Sequence, residues 1–292
     1  MTRDVRERTL GPDDVAAAAA LNAAVGWNQV AADWRMMLAH GHAFALVPAA
    51  ASGDPTHGPA LVATALTVTL GERLAWISMV LVDPAWRRQG FGTRLLKRCI
   101  AQLADAGVIA GLDATPAGRL VYEPLGFRAL YGLSRILCTP IDGDETPADV
   151  ALRPLAPEDV ELVVAWDTAR TGMRRGHLLG PLRRRLPDAA WLAMRDGRIA
   201  GFVLGRDGRL TNQIGPLVAE DAATARALLV RALVASGADA ILDVPDAHAD
   251  FQAWLARHGA VTQRGYTRMV LGPSDVLPPP EGLFAIAGPE LG

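Results

Sequence analysis

The stretch whose reading decides the fold is VLVDPAWRRQGFGTRLLKRCI, residues 80–100. The apolar run LAWISMVLV at 74–82 has the character of a buried strand, and Pro84 stops it. From Phe91 the apolar residues Phe91, Leu95, Leu96, Cys99, Ile100 and Leu103 fall at helical spacing, with Arg94, Lys97, Arg98 and Gln102 opposite them. A strand that ends at Pro84 and a helix that starts near Gly90 leave a short loop at the helix amino terminus. The first N–H groups of a helix lack partners within it, and that end carries partial positive charge. Gly90 and Gly92 have no Cβ, so an anion can come down onto the backbone, and Arg87 and Arg88 add charge. The junction predicts a cradle for a phosphate or pyrophosphate.

The elements around it alternate. Asp13 and Asp14 are placed to cap a helix through the alanines to about Val25, and WNQVAADWRMML at 27–38 reads as a second helix with Trp27 and Trp34 on one face. AFALV at 43–47 and ALVATALTV at 60–68 read as paired strands joined by the turn-forming loop at 48–59. After the cradle helix, Gly107 is a stop and 108–114 is a short strand. Thr115 then caps a helix with Pro116 in its first turn, Gly126 closes it, and 127–137 is the last strand. The order is that of an α/β domain with one twisted mixed central sheet flanked by helices.

The chain then repeats itself. RTLGPDDV at 8–15 returns as RPLAPEDV at 153–160, GLDATP at 111–116 as ILDVPD at 241–246, and LGFRALYGLSRI at 125–136 as HGAVTQRGYTRM at 258–269. The three echoes keep their order. They predict two tandem copies of one domain, 1–139 and 150–272, followed by a tail at 273–292. The join near CTPIDGDETPAD, 138–149, is linker-like. The copies differ where the chemistry lies: aligned on Val82 and Val218, residues Arg87 to Gly92 become Ala223 to Leu228, neither glycine survives, and Glu220 and Asp221 bring negative charge. The tail carries Leu283, Phe284 and Ile286, whose burial is worth roughly 1.5–3 kcal/mol each, and so is expected to dock.

Composition sets bounds. Of 292 residues, 50% are hydrophobic and 21% charged, with a formal net charge of -2, so nothing global draws the chain to nucleic acid or to an anionic membrane. No apolar run reaches a membrane span, and MTRDVRERTL lacks the apolar core of a signal peptide. Cys99 and Cys138 form no CxxC motif, and His40 with His42 has no third ligand nearby. A cytoplasmic protein with reduced thiols and no metal site is expected.

The first copy resembles the GNAT acyl-CoA N-acyltransferases. Their acetyl-CoA motif is Val-x-Pro, two residues, then Arg/Gln-x-x-Gly-x-Gly/Ala, matched here by Val82-Asp83-Pro84 and Arg87 to Gly92. Their later Tyr-x-x-x-Gly-Phe is matched by Tyr122 to Phe127. LDATPAGRLVYEPLGF is similar to a bacterial GNAT subgroup that carries a second, degenerate acetyltransferase-like domain.

The resemblance implies a set of roles. Backbone groups of Val80, Leu81 and Val82 would pair with the pantetheine arm of acetyl-CoA as an added strand would, and an N–H near Leu81 would polarise the thioester carbonyl. Residues Arg87, Arg88, Gln89, Gly90, Phe91, Gly92 and Thr93 would hold the pyrophosphate. Thr115 stands where many members have an Asn that contacts the pantetheine. Tyr122 would protonate the leaving thiolate, and a small-molecule amine would attack directly. The general base is not legible, and Asp113 acting through water is the candidate. Trp27 and Asn28 sit where acceptor-side helices lie, and Asp167 and Arg175 of the second copy are further candidates for the amine pocket. Two other readings compete with an N-acetyltransferase: a tandem enzyme of the mycothiol synthase kind, and a non-catalytic acyl-CoA-binding sensor. Oligomeric state is not predicted.

Overall fold

The computed structural model describes residues 4–49, 60–143 and 146–292, so most of the expected loop at 48–59 lies outside the described residues. Packing divides the chain into two compact units, 1–110 with 208–210 and 111–207 with 211–292. No described helix is long and apolar enough to cross a membrane.

Unit 1 is an antiparallel meander with helices. Its strands are β1 (Val5–Thr9), β2 (Gly41–Pro48), β3 (Ala63–Thr69) and β4 (Leu74–Val82), and its helices are α1 (Val15–Ala24), α2 (Ala31–Ala39) and α3 (Phe91–Asp105). Each strand pairs antiparallel with the next. α3 buries Phe91, Leu95, Leu96, Cys99 and Leu103 against the sheet, the face read from spacing. Its polar face reaches back to β1, where Arg94 and Arg98 lie 3.2 and 3.6 Å from Glu7.

One element is added here and one expectation is corrected. VRERT is a strand, β1, although its charges hide it: Glu7 meets α3, and Arg8 donates two hydrogen bonds, 2.9 and 2.6 Å, to Asp14. The second helix begins at Ala31, not Trp27. The Asn22 amide donates to the carbonyls of Trp27 and Gln29, at 3.3 and 2.8 Å, and holds 27–30 in a turn. Asp33 then accepts from the Val30 N–H at 2.8 Å and starts the helix.

Unit 2 contains β5 (Ile109–Ala114), α4 (Pro116–Tyr122), β6 (Arg128–Cys138), β7 (Ala151–Pro154), α5 (Val160–Thr171), α6 (Gly176–Arg185), β8 (Trp191–Arg195), β9 (Arg198–Arg206), β10 (Asn212–Ala219), α7 (Ala222–Ser236), β11 (Ala240–Pro245), α8 (Ala249–Arg257), β12 (Val261–Leu271) and β13 (Leu283–Ala285). The first two residues of β5 pack with unit 1. Its strand order is β5-β12-β6-β11-β10-β9-β8-β7, with β13 on β10. The copies have therefore exchanged strands. β12, from the second repeat, lies between β5 and β6 of the first, and β6 lies between β12 and β11. β6 is antiparallel to both of its neighbours. The apolar tail is docked as its composition requires: Leu283, Phe284, Ala285, Ile286 and Leu291 are all buried.

Candidate active site

In unit 1 the cradle is built on a defect in β4. Thr64 of β3 faces Leu81 while Leu66 faces Ser78, so β4 carries one more residue than its partner across that step. The bulge falls at Met79, which has φ 51°, and the Thr64 hydroxyl donates to its carbonyl at 2.9 Å. Nothing in the sequence marks this bulge. Just beyond it lie Val80, Leu81 and Val82, of which Leu81 is buried and the two valines are half-buried.

The chain then turns sharply. The Asp83 carboxylate accepts from the Ala85 N–H at 2.9 Å, residues 84–86 make one tight turn, and Arg87 is extended. Arg88 has φ 62°, and Gly90, the residue before α3, has φ 78°. A Cβ on Gly90 would meet nothing within 4 Å, so Gly is required here by backbone conformation and the space beside it is open. A Cβ on Gly92 would stand 3.4 and 3.7 Å from Val82 and Val80, which places the start of α3 directly against β4. Gln89 donates to the Trp86 carbonyl at 3.4 Å, Arg87 donates to the Val82 carbonyl at 3.4 Å, and Thr93 lies in the first turn of α3. The open space, the first N–H groups of α3 and two exposed arginines, Arg87 and Arg88, are together suited to receiving an anion.

Tyr122 ends α4 in unit 2, half-buried beside Phe127 with ring centroids 6.1 Å apart. A Cβ on Gly118 would come within 3.0 Å of its ring, so that glycine lets the ring lie on the helix. Burial pushes the phenol up to about 12. It therefore keeps its proton at neutral pH, as a proton donor must. The Thr115 hydroxyl accepts from the Gly118 N–H at 3.1 Å and caps α4.

Three expected site assignments do not fit the structure. The Asp113 side chain is fully buried, and Arg268 donates to its two oxygens at 2.9 and 2.8 Å. Burial raises the carboxyl against the pull of Arg268, and the side chain touches no bulk solvent. Asp167 and Arg175 are spent on each other, with two hydrogen bonds of 2.9 Å, and Arg175 also donates to the Gly292 carbonyl at 2.9 Å. With almost no exposed side chain, they hold the tail and do not line an amine pocket.

Trp27 and Asn28 have a partner that sequence reasoning missed. Within unit 1 the turn at 208–210, from the second repeat, packs on them. Arg209 donates from its backbone N–H to the Asn28 carbonyl at 2.7 Å and from its side chain to the Trp27 carbonyl at 2.9 Å. The Leu210 N–H donates to the Asn28 side-chain oxygen at 2.8 Å. Asn28 is buried by this contact and Trp27 half-buried. The second repeat thus reaches the turn at 27–30 through Arg209 and Leu210.

The matching helix start in the second repeat carries its own anion. The Asp221 carboxylate accepts from the Thr224 N–H at 2.8 Å and caps α7. Arg195 then ties Asp221, Glu220 and Asp149 together at 3.0, 3.3 and 2.7 Å.

Comparison with known proteins agrees with the fold. Residues 23–127 match the acetyltransferase (GNAT) family, and residues 163–285 match an acetyltransferase (GNAT) domain. The chain belongs to the GNAT acetyltransferases and carries two GNAT domains in tandem. It is 26% identical over 187 residues to YitH, an uncharacterised N-acetyltransferase of Bacillus subtilis strain 168. That match covers 64% of this chain and 66% of the relative, just under two thirds of its length. Among solved structures, a putative acetyltransferase from Pyrococcus horikoshii superposes with a TM-score of 0.78 at 19% identity, covering 99% of this chain and 96% of that one. A tandem GNAT protein from the clavulanic acid biosynthesis pathway gives 0.64 at 15% identity, covering 93% of this chain and 100% of that one. At these identities the likeness is one of fold.

Proposed function

We propose that this protein is an acetyl-CoA-dependent N-acetyltransferase that moves an acetyl group to the amine of a small molecule within a ternary complex. The observation that carries the reading is the cradle: Gly90 in the left-handed conformation, with open space beside it, at the start of α3 and against a bulged β4. In this reading the N–H groups at 88–93 take the pyrophosphate, and Val80 to Val82 pair with the pantetheine arm.

The amine nitrogen attacks the thioester carbonyl carbon, so a C–N bond forms and the C–S bond breaks. A β4 N–H near Leu81 donates to the carbonyl oxygen as negative charge grows there. The Tyr122 hydroxyl gives its proton to the departing sulfur. With Asp113 locked to Arg268, no side chain is assigned as base. The amine therefore enters neutral and loses one proton to solvent once the C–N bond has formed, and the Tyr122 phenolate takes one proton back from solvent. The acceptor is a free small molecule, and the work is assigned to the cytoplasm, with no nucleic acid or membrane partner.

Calorimetric titration with acetyl-CoA, followed by turnover with a panel of small amines, tests this. Binding at one per chain with acetyl transfer to at least one amine is expected. Binding without turnover of any amine would favour a sensor, and no binding would overturn the reading.

A further inference from the structure

We propose that the second repeat contains a binding site for an extended peptide strand, filled by residues 282–287 of the same chain, at the position where the first repeat is proposed to take the pantetheine arm. The equivalence to pantetheine rests on the function proposed above, but the strand site itself does not.

β10 and β11 run parallel, and they pair only at Asn212 with Ala240 and Gln213 with Ile241. Beyond that point they part. β10 continues to pair with β9 on one side, through Leu217, Val218 and Ala219. On its other side, facing β11, Leu217 pairs with Ala285 and Val218 with Leu283. The Ala219 N–H donates to the Gly282 carbonyl at 2.9 Å, and across the gap the Ile286 N–H donates to the Asp243 carbonyl of β11 at 3.0 Å. The tail is thus a wedge bonded to both strands. In the repeat alignment, Leu217 and Val218 stand for Leu81 and Val82 of the first copy, and Asp243 for Asp113.

The site is built for backbone. A Cβ on Gly215 would fall 2.0 Å from the Ile286 carbonyl oxygen, so only glycine lets the strand pass. Further along, a Cβ on Gly288 would meet Arg206, Gln213 and Glu290 at 2.8, 3.0 and 3.0 Å. Phe284 stacks on His248 with centroids 4.2 Å apart and meets Phe251 edge-on at 5.3 Å. The His248 ring nitrogen is 2.8 Å from the Pro280 carbonyl and 3.1 Å from that of Leu283. Arg206 closes the end on Glu290 and Gln213. These contacts select an extended segment with an aromatic side chain and, six residues later, a carboxylate.

Hydrogen–deuterium exchange on the full chain tests this, and its main arm needs neither cofactor nor turnover, so failure of the proposed activity would leave that readout unchanged. The amides of Ala219 and Ile286 should exchange at least 100-fold more slowly than free coil. Gly215→Val should speed both at least tenfold and leave the α3 amides unchanged. If that variant does not fold, Gly288→Ala, which disturbs the tail through side-chain ends, should give the same pattern. Coil-like exchange of Ala219 and Ile286 in the unaltered protein would overturn the proposal. So would slowing of exchange across 212–228 on addition of acetyl-CoA, since the site would then be open to it.

Discussion

Arg268 holds Asp113 through two hydrogen bonds of 2.9 and 2.8 Å, and Arg135 holds Asp243 in the same way at 2.8 and 2.7 Å. The four residues occupy matching places in two of the sequence echoes. Each aspartate lies in one repeat and its arginine in the other, because β6 and β12 have exchanged places. A single copy could not complete either pair. Arg268→Met should therefore destabilise the protein by about 3–5 kcal/mol, the usual cost of stranding a buried charge. Chemical denaturation of Arg268→Met and of Asp113→Asn with Arg268→Met measures it. The double variant should recover a substantial part of the loss, and equal instability of the two would show that packing, not charge, is what was lost.

Gly90 governs the cradle. Its φ of 78° is strained for any other residue, and the space beside it is where the proposed pyrophosphate comes down. Gly90→Ala should cost about 1–2 kcal/mol of stability. Gly90→Glu should abolish acetyl-CoA binding in titration calorimetry, because the carboxylate takes the anion's place as Asp221 does at α7. Binding that survives Gly90→Glu would remove the cradle from the mechanism.

Tyr122→Phe separates donation from packing. The ring keeps its place against Gly118 and Phe127 while the hydroxyl is lost. We expect kcat to fall by about 10² to 10⁴, the usual worth of general acid help, with acetyl-CoA affinity unchanged. An unchanged kcat would make Tyr122 a packing residue.

Acid should weaken a matched pair of caps. Side-chain hydrogen bonds from Arg8 and Arg153 hold Asp14 and Asp159 below their ordinary range. Each carboxylate also accepts from a backbone N–H, that of Gly11 at 2.9 Å or Ala156 at 2.8 Å. A depressed carboxyl contributes stability that is complete above its unfolded value, about 3.9, and is lost as pH falls through the folded one. Thermal melts of Asp14→Asn and Asp159→Asn should lie below the parent at pH 6 and converge with it as acid protonates the folded carboxylates, below the ordinary aspartate range. Both arginines are partly exposed, so each pair's ion-pair contribution should be at most about 1 kcal/mol. A gap that persists at low pH would mean the carboxylate charge contributes nothing.

Much of this protein is local, and what is local could be read directly. The strand, proline, arginine, glycine and helix order at 74–105 needs only period, turn chemistry and capping, and it placed β4, α3 and the turn between them. The echo RTLGPDDV and RPLAPEDV has a local cause too: each Arg reaches the Asp six residues on, at 2.6 Å in both copies, and fixes the start of the first helical region. The acids Glu220 and Asp221 likewise marked the negative charge at the start of α7, though not that Asp221 caps the helix. Long-range pairing decided the rest. Whether Asp113 faces water or a cation depends on a strand 155 residues away, since Arg268 arrives only with the exchange of β12. Trp27 and Asn28 gain Arg209 and Leu210 across 182 residues. The tail's Leu283 and Phe284 called for burial, but burial has no direction. Only the parting of β10 from β11 gave these residues a place, because unpaired backbone groups on both strands had to find partners and the tail supplied them.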